Sequence, residues 1–575
     1  MKILRGFTYL EVIIFLVLVT TLLGLSAQLL RKDKLSKESR DLLRVNDLSK
    51  LENILKSFLL EDPRISLGRS NYIYLSLPSK SATTNCQVDY PDLPDPPQGY
   101  QYYCSPDPSN INGEGWIPVN FSQNPIFRIN NLPTDPINDI NYFYAFFVST
   151  SGKEFELIAN LESEKNKGID SISGKDNGTA HWLLEFGNNK NLAPMDFELA
   201  LLPSGEIMWA FSENWGNLWD DIEGVALDSD YIYLVGDNKV NENDNWQWVI
   251  QKRKKLNGEI IWSTTSDPNP YYNTYDFDSV FGGVIEDRDY IYIGGRQGRS
   301  GVTGRLEKRD KINGSLVSAV NISSMETVWS MAQDSNYIYL AGWNRRTVYT
   351  SAGGTSDYYW VITKLNKSNL TAVQTVQINP HTPYAACSSG YTCLCFDYDV
   401  YPQIAVKDNY LYIGGYVGNF NWNNPSCGSI YGRLEKRDIN NLNNLISYAT
   451  SNKPFVSLDL DNSGNIYVMT SERLEKRNSS NLSLLGSLNN ISGKIRIFDK
   501  YIYTITSIVE VGDSKWRILK IHKDNLNIIW DKIENPSDQE DYPSAITVDS
   551  SGIYIGGIHR ISYYDSQIRI EKRNK

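Results

Sequence analysis

The chain has 575 residues, more than one domain's worth, with 41% hydrophobic and 21% charged residues, the balance of a folded protein rather than a disordered one. Its net charge of −11 argues against nucleic acid as a main partner, because phosphate binding needs a basic face. Six cysteines without a CxxC pair and only four histidines argue against a zinc site.

In chain order, the first signal is Gly6-Phe7-Thr8-Tyr9-Leu10-Glu11, placed after Lys2 and Arg5 and opening an apolar run to Leu30. A lone carboxylate at the head of a membrane-length apolar helix is costly and calls for a function. An ordinary secretory signal, with Gly24, Ser26 and Ala27 as its small residues, leaves Glu11 unexplained. The stretch resembles the type IV pilin signal. That resemblance implies cutting between Gly6 and Phe7 by a prepilin peptidase, methylation of the new N-terminus, and Glu11 as the residue that pairs with a neighbouring subunit during assembly. It also implies other pilin subunits as partners, and the inner membrane before assembly. The expected localisation is a membrane anchor formed by the single N-terminal helix, then an extracellular, cell-surface filament.

Helical periodicity continues past the apolar run. Leu35, Leu42, Val45, Leu48, Leu51, Leu55, Phe58 and Leu59 recur at threes, fours and sevens, and Pro63 ends the pattern. One helix over 7–62 follows, about 75–80 Å long. Residues 63–196 read as a small β-rich head, with strands at Tyr72–Leu75 and Tyr142–Phe147. Cys86 and Cys104 lie close within one loop-rich part of it and are expected to pair outside the cytoplasm. Cys387, Cys393, Cys395 and Cys427 leave three pairings open.

The segment Leu132-Pro133-Thr134-Asp135-Pro136, with Tyr142 and Tyr144 after it, resembles pilin and pseudopilin heads, some of which bind calcium in a nearby loop. On that resemblance Asp135, Asn138 and Asp139 are candidate ligands. Three oxygens fall short of the six or more that calcium takes. Turns in which these side chains bond their own backbone are the preferred reading. No other cofactor is expected.

From residue 197 a Tyr-Ile-Tyr-like core recurs seven times, at Tyr231, Tyr290, Tyr337, Tyr410, Asn465, Tyr501 and Gly552. Most copies follow a short apolar strand ending in Asp and precede a strand such as Arg305-Leu306-Glu307-Lys308-Arg309. Four short strands repeated about seven times predict a β-propeller. The core resembles a bacterial β-propeller repeat, seen most clearly at Asp461–Tyr467. The last unit lacks a fourth strand, and Pro203–Trp209 matches the missing one, so a strand at 205–210 is expected to close a seven-bladed ring. The fold class is thus an α+β pilin-like module, a long N-terminal helix with a small β-rich head, followed by an all-β seven-bladed propeller over 197–575.

Three patterns in this part could carry chemistry. Arg-Leu-Glu-Lys-Arg, repeated at 305–309, 433–437 and 473–477 and echoed at 569–573, is expected to be a solvated strand with cross-strand charge pairs. Asp459-x-Asp461-x-Ser463-Gly464 begins like a calcium loop, but Thr470 stands where a Glu should close it, so a turn is expected. Asp220, Asp278, Glu326, Asp399 and Asp541 precede the first strand of five units, with Trp219, Tyr275, Tyr401 and Tyr542 nearby. At a channel mouth they suit binding of cations or sugars; alternatively they fix loop backbone, which is the preferred reading. No nucleophile elbow or cofactor motif appears.

The function expected is a type IV pilin-like filament subunit displaying the propeller at the cell surface to bind a glycan or protein, and not an enzyme. It is expected to be a minor subunit, since a disc about 45–50 Å across on every subunit would crowd a filament. The alternatives are a pilin-anchored extracellular enzyme with its site at the propeller mouth, or a pseudopilin of a type II-like secretion system.

Overall fold

A computed structural model describes residues 36–575, apart from 62–63, 81–84, 92, 123–128, 167–170, 179, 181, 195–196, 199–200, 202–204, 217, 242–244, 269–277, 299–301, 351–352, 381–383, 386–393, 421–428, 511–512, 538 and 563–564. Gly6, Phe7 and Glu11 lie outside the described residues. The chain divides into two compact units, Met1–Pro203 and Ser204–Lys575, a boundary slightly later than the sequence break at 196/197. The difference arises because Phe197 packs on Tyr102 and Phe147 in the first unit.

In the first unit a helix runs over 36–61. Its buried stripe is Asp41, Arg44, Leu48, Leu51, Leu55 and Phe58, spaced by threes and fours. The four apolar members pack on Tyr74, Trp116, Tyr144, Phe146 and Leu157, a core built mostly on a five-stranded sheet. The strands, in spatial order, are Gln101–Cys104, Tyr72–Leu75, Tyr144–Val148, Phe155–Asn160 and Leu183–Gly187, the first pair parallel and the rest antiparallel. Where the stripe turns polar, a buried ion network takes over. Arg44 donates to both oxygens of Asp135 at 2.6 and 2.9 Å, to Asp41 at 2.8 Å and to Glu162 at 2.7 Å. Asp41 in turn accepts from the backbone of Glu162 and Ser163. The expected disulfide, Cys86–Cys104, is present; the side chains of the other four cysteines lie outside the described residues.

Among the described residues no helix is long and apolar enough to cross a membrane. This overturns the expected localisation by a single N-terminal membrane helix. The described helix carries a polar or charged residue on nearly every turn and is built to cover a sheet. The apolar run of residues 7–30 lies outside the described residues.

The second unit is all-β and propeller-like. Its described residues form seven antiparallel sheets, each with a four-stranded core. The first sheet is Asp220–Leu227, Tyr231–Asn241, Asn245–Lys254 and Ile260–Ser266; the first strands of the next five are Ser279–Glu286, Thr327–Gln333, Val400–Lys407, Phe455–Leu460 and Lys494–Phe498. The seventh joins Asp541–Asp549, Gly552–Ser562 and Asp565–Arg573 to Ile207–Glu213, paired Ile570↔Phe211 and Glu571↔Ala210. Each first strand lies against the first strand of the next sheet, and that of the seventh lies against that of the first. Every Tyr-Ile-Tyr-like core falls on a second strand, with its central apolar residue fully buried. The third sheet is extended by Leu394–Tyr398, Tyr384–Ala385 and Asn419–Phe420.

The Arg-Leu-Glu-Lys-Arg strands correct the expectation of solvated, cross-strand pairs. Glu307 is fully buried and sits between Arg305 and Arg309 of its own strand, each Nε 2.9 Å from a carboxylate oxygen. Period-two alternation puts residues i, i+2 and i+4 on one face, so the ions pair along the strand. Arg309 also donates to the Gly314 carbonyl in the turn to the fourth strand at 2.9 Å. The same triad forms around Glu435, Glu475 and Glu571. On the opposite face Lys308 stands 3.9 Å over the Tyr290 ring and donates to the Lys367 carbonyl of the next sheet.

In the seventh sheet the turn carbonyl held by the second arginine belongs to Gly205, at 2.8 Å from Arg573. Residues 204–575 are therefore expected to melt cooperatively. A fragment starting at residue 215 leaves the edge of Asp565–Arg573 bare and is expected to melt at least several degrees lower or to aggregate. Equal melting temperatures for the two fragments, by differential scanning calorimetry, refute this.

Candidate functional site

The five acids singled out from the sequence sit just before, or at the start of, the first strands of their sheets, and each is tied to its surroundings. Asp220 accepts from the backbone N–H of Trp215 at 2.6 Å and Gly216 at 3.4 Å. Asp278 accepts from Gly298 N–H at 2.9 Å, and Asp399 from Gly418 N–H at 3.1 Å, each reaching the loop after the second strand. Asp541 accepts from the hydroxyl and N–H of Ser537 at 2.8 and 3.1 Å. Glu326 pairs with Arg345 at 2.9 Å. All but Glu326 are fully buried. They fix loops, and none of them lines the central cavity.

That cavity begins two to four residues further on. The first strands of six sheets carry a register shift, between Ile222 and Gly224, Ser279 and Gly283, Val328 and Ser330, Val400 and Gln403, Phe455 and Ser457, and Pro543 and Ala545. A β-bulge re-aims a side chain. Here the shifts contain Glu223, Phe281, Trp329, Tyr401 and Val456, and all five line a cavity of about 310 Å³ to which all seven sheets contribute. A larger groove of about 560 Å³, lined by Lys453, Glu472, Arg473 and Arg517 among others, draws on the fifth and sixth sheets and their connections and has no aromatic residue in its described lining. A groove of about 710 Å³ beside Tyr290, Tyr292 and Tyr337 draws on the second and third sheets alone. The central cavity is the stronger site because all seven sheets converge on it and its wall combines rings with charge.

One side of the cavity is aromatic. Trp329 stacks on Phe281 with ring centres 5.4 Å apart and lies 4.6 Å from Tyr401. Tyr416 and Trp343 hold Tyr401 edge-on at 5.2 and 5.0 Å. Tyr401 takes φ = 56°, a left-handed conformation that a bulky residue adopts only when its surroundings over-determine it. The other side is charged, with Glu223, Lys494 and Arg496. Loss of hydration in the narrow channel pushes the Glu223 carboxyl well up, with the Asp221 charge adding to this and Lys494 opposing it, although Glu223 keeps part of its surface open. Asp221 is pushed up to about 7 for the same first reason.

Tyr401 was named from the sequence only as a neighbour of the acids; Glu223, Phe281 and Trp329 were missed. The available signal was their common offset of three from Asp220, Asp278 and Glu326. Of the other aromatic neighbours, Trp219 and Tyr542 lie under Arg560, and Tyr275 lies outside the described residues.

In the first unit the three candidate calcium ligands do not fit a metal. Both oxygens of Asp135 are taken by the Arg44 guanidinium. Asn138 exchanges hydrogen bonds with Ser76, and Asp139 accepts from the backbone of Asn141 and Tyr142. Asp461 likewise accepts from the N–H groups of Ser463 and Asn465, closing a turn. Glu156, Glu185 and Glu198 bring carboxylate oxygens within 4.8 Å of one another, all buried. Burial first and Glu185 second push Glu156 up to about 8, against the N–H groups of Leu192 and Ala193, which favour its charge.

The architecture and cavity define a propeller-like β unit with a central aromatic site. No family model matches the chain, and no curated protein matches it. Among solved structures, the computationally designed Ika8 protein matches at 9% identity and a TM-score of 0.33, over 62% of this chain and 98% of its own. The quinohemoprotein alcohol dehydrogenase ADHIIG from Pseudomonas putida HK5 matches at 8% identity and a TM-score of 0.30, over 61% of this chain and 66% of its own. Likenesses this distant say nothing about what this chain does.

Asp220 offers a test of the loop-fixing role. Burial pushes its carboxyl up to about 7, with Asp565 and Asp221 adding to the shift against two backbone donors. The folded chain then keeps a proton that the unfolded chain, with a pKa of about 3.9, has released. Its contribution to stability therefore falls as pH rises from about 4 to about 7. Asp220→Asn retains an acceptor for Trp215 and lacks this slope. Relative to the parent, the variant is expected to gain on the order of 1–3 kcal/mol between pH 5 and pH 8. A pH-independent difference in denaturant unfolding contradicts the assignment.

Proposed function

We propose that the chain is a type IV pilin-like, minor filament subunit whose C-terminal unit is a seven-bladed β-propeller that binds a glycan in its central cavity. The subunit reading is supported by the Gly6-Phe7…Glu11 motif and by a helix laid along a β-rich head. The binding reading is carried by one observation: bulged first strands bring Phe281, Trp329 and Tyr401 into one cavity, with Tyr401 held in a strained backbone conformation. Flat ring faces suit the C–H faces of a sugar, and the adjacent Glu223, Lys494 and Arg496 supply hydrogen-bond partners for its hydroxyls. Such rings in a preformed cleft give affinity without ordering long side chains.

A second reading, an enzyme acting in the same cavity, is favoured by the Glu223 carboxyl, whose raised pKa suits a general acid. Glu223→Gln separates the two, since it abolishes turnover in an enzyme and leaves a binding module able to hold its ligand.

Two measurements test the main reading. In a glycan array followed by calorimetry, Trp329→Ala and Tyr401→Ala are each expected to weaken binding at least tenfold, about 1.4 kcal/mol, with the fold intact. Undiminished affinity, or no glycan bound by the parent chain, refutes the glycan site. With prepilin peptidase present, Gly6→Val is expected to retain residues 1–6, whereas Glu11→Ala is cut normally but fails to assemble. N-terminal mass spectrometry showing normal cutting of the Gly6 variant would sink the pilin reading.

A further inference from the structure

Two cations in the central cavity are used by no ion pair of the fold. Lys494 and Arg496 occupy alternate positions of Lys494–Phe498, so both face the channel, while Ile495 between them is buried. Both are exposed although they line a cavity. Of the seven first strands described, this one pairs with its second strand in unbroken register. Where the other six bulge, it presents two long charged side chains.

Elsewhere in the unit, cations this close to the core are partnered. Arg253 pairs with Glu213, Arg309 with Glu307, and Lys311 with Asp228 and Glu286. Arg496 instead donates to the Ile495 carbonyl at 2.9 Å and meets no carboxylate among the described residues. Asp459, which feels the Arg496 charge, gives its oxygens to the N–H groups of Leu460 and Ile497 at 2.8 Å each. Lys494 acts on Glu223 and Asp221 through its charge, without a contact to either. Glu223 is the carboxyl group of the described lining, and burial together with the Asp221 charge pushes it towards its neutral form. Arg296, over the Phe281 ring at 4.9 Å, faces the charges of Asp237, Glu326 and Asp278.

Around the circuit of first strands, Phe281, Trp329 and Tyr401 occupy the second to fourth sheets, and Lys494 and Arg496 the sixth. In a circuit of seven the sixth member lies across from the third, which sets the two cations opposite Trp329. We propose that the cavity selects an acidic sugar, whose ring lies on the aromatic side while its carboxylate or sulfate group reaches across to Lys494 and Arg496. This rests on the glycan reading of the cavity and adds the class of sugar to it. A neutral sugar filling the channel would strip water from two cations and leave them unpaired, which costs binding energy. An acid group supplies the missing partner: the guanidinium fork of Arg496 matches two of its oxygens, and the Lys494 ammonium adds a point charge. At about 310 Å³ the cavity is at the lower end for ligand sites, which favours one acidic sugar at a chain end over an internal run of a polyanion.

The test uses the full chain on an array of matched pairs: terminal glucuronic acid beside terminal glucose, sialylated beside asialo galactose, and sulfated beside unsulfated galactose. The parent is expected to bind the acidic member of at least one pair at least tenfold more tightly than its neutral partner. Rising salt is expected to shrink that ratio. The double variant Lys494→Gln, Arg496→Gln is expected to bring the ratio to about one, with its melting temperature unchanged because both side chains are exposed. Trp329→Ala is expected to weaken both members and keep the ratio. Whether carboxylates or sulfates carry the preference identifies the acid group. Equal binding of acidic and neutral members by the parent, or an undiminished ratio in the double variant, overturns the acidic-sugar proposal and leaves the glycan site standing. Binding of no member of any pair overturns both.

Discussion

The second unit depends on a buried Arg–Glu–Arg triad along the third strand of four of its seven sheets. A carboxylate with no exposure is costly alone, and two guanidiniums two residues away on the same face provide its charge-assisted partners. The second arginine then reaches the carbonyl of the turn leading to the fourth strand, as Arg437 does to Leu442 and Arg477 to Leu482. The lysine between them points to the opposite face and covers a tyrosine ring, and in the sheets of Glu307 and Glu571 it also bonds a loop carbonyl of the following sheet. In those two sheets one five-residue motif thus fastens the sheet internally and to its neighbour. In the last sheet the same two bonds close the circuit: Arg573 holds Gly205, and Lys572 holds Lys255 of the first sheet.

With the outer strands fastened in this way, the first strands are free to carry irregularity. Their hairpins are pinned by an aspartate at the turn. Asp228, Asp287 and Asp334 each accept from a Tyr N–H and from the hydroxyl of the next tyrosine of the core. At the other end, acids such as Asp220 and Asp541 hold the incoming loop. Between two fixed ends an extra residue can only bulge, and the bulge turns its side chain towards the axis. The cavity wall follows from that constraint, which is why rings as large as Trp329 and Tyr401 can occupy a narrow centre.

The first unit solves a different problem with a related device. Its helix covers a sheet through leucines and Phe58, and at the polar end of the stripe Arg44 binds Asp135, Asp41 and Glu162 together. Arg44 also stands 5.0 Å over the Tyr142 ring. Removing one partner of such a network leaves the others buried and unpaired, so the network fixes the helix in one register on the sheet. The same guanidinium is what keeps Asp135 from serving as a metal ligand.

Much of the fold was legible in the sequence because its signals are local. Strand alternation, Asp-turn chemistry, the spacing of the Tyr-Ile-Tyr-like cores and the displaced fourth strand each depend on a few neighbouring residues, and the disulfide on two cysteines in one loop region. Sequence also located the acids before the first strands and preferred the loop-fixing role for them, but could not decide it, because a carboxylate that caps a loop and one that faces a channel look alike in a string of letters. Burial of the Arg–Glu–Arg motif was illegible for a similar reason: mixed charge implies solvent unless the ions can be seen to neutralise one another along a strand. Tertiary structure alone decided the cavity wall, since a bulge shifts register by one residue and moves a side chain to the opposite face. It alone also brought Lys494 and Arg496 into the same cavity as Trp329, because the meeting of distant sheets in one circuit leaves no periodic trace in the chain.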